Sequence, residues 1–152
     1  MVRIGTCGGL QENTPAGTFI CSKKSMGFDG LLNFYAGRNA VCDLQIEKAF
    51  LNHMGWTGNM CQPAPYVVEA DKELVDRIAG EDMVRGITIA CGGFFGPQGR
   101  QLRLPLADPN QNRKIEEFEY DGARITNFEM QKADTGYKSH IDDLIKTVLD
   151  RI

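Results

Sequence analysis

Histidine is scarce in this 152-residue chain, with only His53 and His140. Its five cysteines, at positions 7, 21, 42, 61 and 91, include no C-x-x-C pair. That shortage points away from a zinc centre, which draws on about four clustered N and S ligands. The odd count reads instead as buried thiols in a reducing compartment. Neither a metal nor an organic cofactor is expected. Basic residues do not outnumber acidic ones: 17 Lys and Arg stand against 20 Asp and Glu, a net charge of −3. The balance leaves no electrostatic footprint for nucleic acid and no polybasic patch for a membrane surface. No apolar run approaches the ~18 residues that span a bilayer. The first eleven residues, with one arginine and several glycines, do not read as a signal peptide. A cytoplasmic protein is the expectation. Internal repeats and low-complexity tracts are also missing.

What remains is ordinary globular material, 42% hydrophobic and 24% charged, in a length that fits one domain over 1–152. Val2–Ile4 reads as a short strand entering the glycine-rich Gly5-Thr6-Cys7-Gly8-Gly9. Thr18–Ser22 is a second strand, and Lys23–Asn39 is loop-like, with Phe28, Phe34 and Tyr35. Val41–Met54 predicts a helix that buries Val41, Leu44, Ile46, Ala49, Phe50 and Met54. Tyr66–Val68 is a strand, after which Asp71 caps a helix carrying Leu74, Val75, Ile78 and Ala79 and stopped by Gly80. Arg85–Ala90 and Arg124–Phe128 are strands, with a short helix within Asp108–Glu119. Ser139 caps a last helix whose Ile141, Leu144, Ile145, Val148, Leu149 and Ile152 follow the helical period. Strands and helices alternate, so the fold class is α/β.

Three segments hold residue types suited to chemistry. In Arg3-Ile4-Gly5-Thr6, glycines after a strand can serve a tight turn alone. Alternatively, Arg3 and Thr6 face an anion beside bare backbone amides, an arginine fork being well matched to phosphate. Phe94-Phe95-Gly96-Pro97-Gln98-Gly99-Arg100 is either a surface turn with inward aromatics or a clamp for a planar ligand. In the second reading Phe94 supplies a stacking face, Gln98 a donor and an acceptor in one plane, and Arg100 a positive charge for a ring carbonyl. Asn127-Phe128-Glu129-Met130-Gln131 is a strand end with a buried methionine, or the floor of a sugar site. A Rossmann-type nucleotide domain is disfavoured because no G-x-G-x-x-G follows the first strand.

Taken in order, R-x-G-T-x-G, F-x-x-x-Q-x-R and N-x-E-M resemble the uridine phosphorylases of the nucleoside phosphorylase family. The text between them, including Gly27-Phe28-Asp29-Gly30-Leu31 and Gly99-Arg100-Gln101-Leu102-Arg103-Leu104-Pro105, is similar too. The resemblance runs from Val2 to about Met130 and again over Tyr137–Ile152. It implies a phosphorylase-type mixed β-sheet core flanked by helices, incomplete relative to the family. It implies reversible phosphorolysis of uridine to uracil and ribose 1-phosphate, with inorganic phosphate as co-substrate, no cofactor, and a homo-oligomer in the intact family. By that analogy Arg3, Gly5 and Thr6 hold phosphate, and Arg3 and Thr6 are the catalytic pair. Phe94, Gln98 and Arg100 take the base, and Thr6, Glu129, Met130 and Gln131 the ribose.

The sequence departs from the family at Gln131, where a second glutamate is expected, and over Lys132–Gly136. Family members run to roughly 250 residues. The chain thus reads as shortened at its N-terminus and by an internal deletion after Met130. The family segments it lacks carry further phosphate ligands, and a His and an Arg lent by a neighbouring subunit. The alternatives are a non-catalytic remnant that binds pyrimidine or phosphate, and a purine-directed relative. Four expectations follow. Val2–Ile4 lies centrally in the sheet. Arg3, Thr6, Phe94, Gln98, Arg100 and Met130 converge on one concavity. Removed elements leave an apolar patch on strands Arg85–Ala90 and Arg124–Phe128. The isolated chain is nearly inactive while still binding uracil or phosphate.

Overall fold

The structure, a computed structural model, describes residues 1–57, 63–129 and 138–152. Among them six strands alternate with four α-helices: β1 (Cys7–Gly9), β2 (Phe19–Gly27), α1 (Leu44–Met54), β3 (Tyr66–Glu69), α2 (Lys72–Ile78), β4 (Met83–Ala90), α3 (Gln111–Glu117), β5 (Glu119–Tyr120), β6 (Ala123–Glu129) and α4 (Lys138–Arg151). The sheet order is β1-β6-β4-β2-β3, with β5 hairpinned onto β6. Strand β4 pairs in parallel with both β2 and β6, while β1 and β3 run antiparallel at the edges. The β5–β6 turn is Asp121-Gly122, both at positive φ, the backbone that suits a two-residue hairpin.

A parallel sheet needs cover on both faces, and here the cover is unequal. One face carries a continuous core. Ile87 and Ile89 of β4, Ile125 and Phe128 of β6, Met26 of β2 and Val67 of β3 pack with Ile46, Phe50 and Met54 of α1 and with Ile115 of α3. An aromatic group locks this layer, with Phe50 5.1 Å from Phe118 and 5.7 Å from Trp56 between ring centroids, the rings edge to face. The opposite face is thinner. Ile78 of α2, Val148 of α4 and Met83 form its buried centre, with Ile4, Phe19, Cys21, Leu74 and Leu144 partly buried against them.

Register breaks decide which side chains reach which face. The β4–β6 register shifts between Ile87 and Thr88, so Ile125 and Phe128, three residues apart, both enter the thicker core. The β2–β4 register shifts between Ser22 and Lys24, and Ser22 and Ser25 both line the cavity described below.

Helix starts follow their caps. The Asp43 carboxylate accepts from the Ile46 amide at 3.1 Å, and Asp71 accepts from Leu74 at 2.9 Å, so the predicted cap of α2 is in place. Gly55, at φ 70°, ends α1.

Several expectations are corrected. Val2–Ile4 is not a strand and is not central. The glycine-rich Cys7–Gly9 is the strand, at the sheet edge, because the chain can approach closely there: a Cβ at Gly9 would stand 2.2 Å from the Thr14 carbonyl oxygen. Lys23–Asn39 is not all loop, for β2 runs on to Gly27. Lys24 is held there between Asp43 and Glu69 at 2.7 Å each. A Cβ at Gly27 would fall 2.2 Å from the Tyr66 ring. Val41 and Leu44 are exposed rather than buried, since α1 begins only at Leu44. Ser139 lies inside α4, which starts at Lys138. Strands β4 and β6 show no bare apolar patch, because Ile87, Ile89, Ile125 and Phe128 are buried. The exposed large apolar side chains lie elsewhere, chiefly Leu31, Phe34, Tyr35, Leu102 and Leu104.

The Lys24 hydrogen bond, ahead of opposing burial, holds the Asp43 carboxyl below its ordinary pKa. A depressed carboxylate stabilises the fold above its unfolded pKa of about 3.9, and that stability disappears as pH falls through the folded value. Urea titrations should therefore show the midpoint of the native chain dropping below about pH 4. Asp43→Asn, which keeps the helix cap, should start lower at neutral pH and change less on acidification.

Candidate active site

Because β2, β4 and β6 are parallel, their carboxyl ends lie on one side of the sheet, where open α/β sheets bind ligands. Glu129 ends β6. The turn at 94–100 follows β4. The antiparallel β1 brings its own beginning to the same edge, with Cys7 opposite Glu129. Arg3, Gly5 and Thr6 lie just before it.

The Arg3 guanidinium pairs with Glu129 Oε1, the two side chains being 77% and 24% exposed. Thr6 is half-buried and Gly5 exposed. Together with Arg3 and Glu129 they line a cavity of about 750 Å³. Its floor is polar. Ser22 and Thr88 share a short hydroxyl contact, Thr88 Oγ1 donates to Asn127 Oδ1 at 3.0 Å, and Thr126 donates to the same oxygen at 2.8 Å. The Cys7 thiol bonds to Asn127 as well.

The clamp turn lies on the other side of Glu129. Gln98 is 3% exposed. Its Nε2 donates to the Glu129 carbonyl at 3.3 Å, and its Oε1 accepts from Arg100 Nη1. Arg100 Nη1 also donates to the Phe94 carbonyl at 2.8 Å, and its guanidinium carbon sits 4.2 Å from the Phe94 ring centroid. The Phe94 ring is 45% exposed, so surface remains for stacking.

Glu129 thus joins the two groups, its carboxylate to Arg3 and its carbonyl to Gln98. They do not share one concavity, however: Phe94, Gln98 and Arg100 are not among the residues lining the cavity. Met130 and Gln131 lie outside the described residues. The sequence reading missed Ser22, Ser25 and Thr88 as cavity residues. Polar side chains within otherwise apolar strands were their signal.

Besides the Glu129 carboxylate, two cysteines lie at this edge, Cys7 opposite Glu129 and Cys91 just after β4. Burial raises the Cys7 thiol pKa, against the hydrogen bond from Asn127. Burial first, then the charge of Asp29, pushes Cys91 up to about 12, with Arg100 opposing. Both thiols stay protonated at neutral pH and are poor nucleophiles. His53 sits on α1, within 2.7 Å of the Lys114 carbonyl and against Phe118. What the edge offers is fixed positive charge, planar hydrogen bonding and a carboxylate. No group of three or more metal-ligating side chains gathers among the described residues, and none of their helices is long and apolar enough to cross a membrane.

The fold and this edge define an α/β protein whose mixed sheet gathers charged and polar side chains at the carboxyl ends of its parallel strands. The phosphorylase superfamily model matches residues 1–130, and the chain belongs to that superfamily. The structure is similar to the crystal structure of Trypanosoma brucei nucleoside phosphorylase, which shows uridine phosphorylase activity. The TM-score is 0.69 at 18% identity, over 97% of this chain and 60% of that one. The fold is therefore of the phosphorylase type, in a chain short relative to the family. No curated protein matches the sequence.

The two halves of the edge should respond differently to substitution. An exposed ion pair contributes at most about 1 kcal/mol, so Arg3→Ala should leave urea stability nearly unchanged. Gly99 is at φ 68°, and a Cβ there would stand 2.1 Å from Asn112 Oδ1. Gly99→Ala should cost about 1–3 kcal/mol in the same titration.

Proposed function

We propose that the chain derives from a uridine phosphorylase-type pentosyltransferase, which cleaves uridine with inorganic phosphate to uracil and ribose 1-phosphate. The observation that carries this reading is the double attachment of Glu129, which links an arginine suited to phosphate with an amide and arginine suited to a pyrimidine edge.

In this reading Arg3, Gly5 and Thr6 bind phosphate, with Thr6 also close to the ribose. Glu129 accepts from ribose hydroxyls, joined by Met130 and Gln131. Phe94 packs on uracil, while Gln98 and Arg100 bond its amide edge. Phosphate attacks C1′ as the bond to the base breaks, and negative charge develops on the departing ring. In this reading Arg100 and the Gln98 amide are the groups that favour that charge. A carboxylate near the sugar favours the positive character gained by C1′. No general acid is required, consistent with the protonated thiols and distant His53. Inorganic phosphate is the co-substrate and no further cofactor takes part. Location is cytoplasmic. The exposed Leu31, Phe34, Tyr35, Val41 and Leu44 support burial of that surface against a second copy.

Turnover by the isolated chain is a separate matter. Gln131 brings no charge to the sugar, and charge-assisted hydrogen bonds are roughly twice as strong as neutral ones. In this reading the phosphate ligands on these residues are the Arg3 guanidinium, the Thr6 hydroxyl and the backbone at Gly5. We therefore infer that the chain binds the reactants but turns them over poorly.

Calorimetric titration with uracil and with phosphate, beside a uridine phosphorolysis assay, tests both statements. Arg100→Ala should weaken uracil on the order of 10-fold or more and spare phosphate, and Arg3→Ala should do the reverse. Gln131→Glu alone should not restore turnover. Steady phosphorolysis by the native chain would overturn the inference of poor turnover. Failure to bind uracil would overturn the uridine reading.

A further inference from the structure

The base-binding turn has its own fixture on a neighbouring element. Three successive carbonyls of the turn receive side-chain amides from two adjacent residues of α3. Gln111 Nε2 donates to Pro97 O at 3.0 Å and to Gly96 O at 3.4 Å. Asn112 Nδ2 donates to Gln98 O at 3.0 Å. Gln111 is buried, only 7% exposed, and a hydrophobic side chain of the same size would take these donors away from the turn. The turn lies so close on Asn112 that a Cβ at position 99 would stand 2.1 Å from its Oδ1.

Bonds within the turn shape it but do not aim it. Gln98 N and Arg100 N both donate to Phe95 O, and Gly99 N donates to Gly96 O, at 2.9–3.0 Å. These contacts would survive if the turn swung as a body relative to the sheet. The amides of Gln111 and Asn112 oppose that from α3, which is itself anchored, and add to the Gln98 bond to the Glu129 carbonyl and the Cys91 thiol bond to the Pro97 carbonyl. Ile115, one turn further along, is fully buried against the layer that holds Ile125 and Phe128 of β6. The same strand ends at Glu129. A chain of contacts therefore runs from turn to α3 to β6, and it sets the distance between the base edge and the sugar edge.

We propose that Gln111 and Asn112 are positioning residues that hold the Gln98–Arg100 edge in register with Glu129, an inference that rests on the uridine-type reading above. They touch no ligand. They fix where the amide and guanidinium point, and so act on recognition of the base and not on phosphate. A pyrimidine edge read by a planar amide tolerates little angular error, since hydrogen bonds weaken steeply away from linearity.

The test uses the full chain, with the variants Gln111→Met, which keeps size and removes both donors, and Asn112→Ala. Two quantities are read for each. The first is hydrogen exchange at the amides of Gln98, Gly99 and Arg100, followed by NMR against those of β4 and β6. The second is the affinity for uracil and for inorganic phosphate. We expect exchange in the turn to quicken while the strands keep their protection. Uracil binding should weaken on the order of 10-fold, the equivalent of one lost well-aligned hydrogen bond or two, with phosphate affinity within about twofold. A purely structural role would instead loosen the strands together with the turn, or weaken both ligands equally, and either result overturns the proposal. So does unchanged turn exchange or unchanged uracil affinity in both variants. If Gln111→Met fails to fold, Asn112→Ala, at a half-buried position, carries the same readings. A native chain that does not bind uracil overturns the base-site reading, and with it the purpose assigned to the two amides. Native binding that persists in the variants overturns the positioning alone.

Discussion

Parallel pairing of β4 with β2 on one side and β6 on the other is the constraint from which the site follows. It stacks three carboxyl ends at one edge and obliges helices to cover both faces. The helices do so unequally. Beneath α1 and α3 the strands offer isoleucine, phenylalanine and methionine, and these side chains are buried in one layer. Beneath α2 and α4 they offer Ser22, Ser25, Thr88 and Asn127, and a cavity remains. Buried hydroxyls and amides must be paired, and here they pair with one another across β2, β4 and β6. The polar floor is thus built by the same register shifts that drive the apolar residues to the opposite face.

Glu129 stands where these effects meet. As the last residue of β6 its backbone belongs to the sheet and its side chain to the ligand edge. One residue therefore carries an ion pair with Arg3 through its side chain and accepts an amide from Gln98 at its carbonyl. With the thiols protonated, the edge presents the Arg3–Glu129 ion pair and the donors of Gln98 and Arg100. Such a site depends on orientation, and orientation here comes from α3 and from Gly99, whose lack of a Cβ lets the turn lie directly on Asn112.

Local signals were read well where the physics was local. Asp71 caps α2 because a short acceptor three residues before an unpaired amide needs no distant partner. The strands β3, β4 and β6 emerged from short apolar and β-branched runs. Strand β1 was misplaced because Val2–Ile4 has the higher strand propensity, whereas pairing with β6 went to the glycines that could approach Thr14. The extension of β2 to Gly27 was hidden for a similar reason: its charged Lys24 is tolerated only because Asp43 and Glu69 neutralise it from other elements.

By itself the amino-acid sequence determined the α/β class, the start of α2 at its Asp71 cap, and the chemical kinds of residue at this edge. Those follow from propensity, period and side-chain chemistry, each confined to a few neighbouring positions. Tertiary structure alone decided which strand is an edge, which side chains line the cavity, and that the phosphate-type and base-type groups meet through Glu129 without sharing one concavity. A strand's alternation says that two faces exist, but not which one is core. That choice, and every bulge that shifts it, belongs to partners far away along the chain.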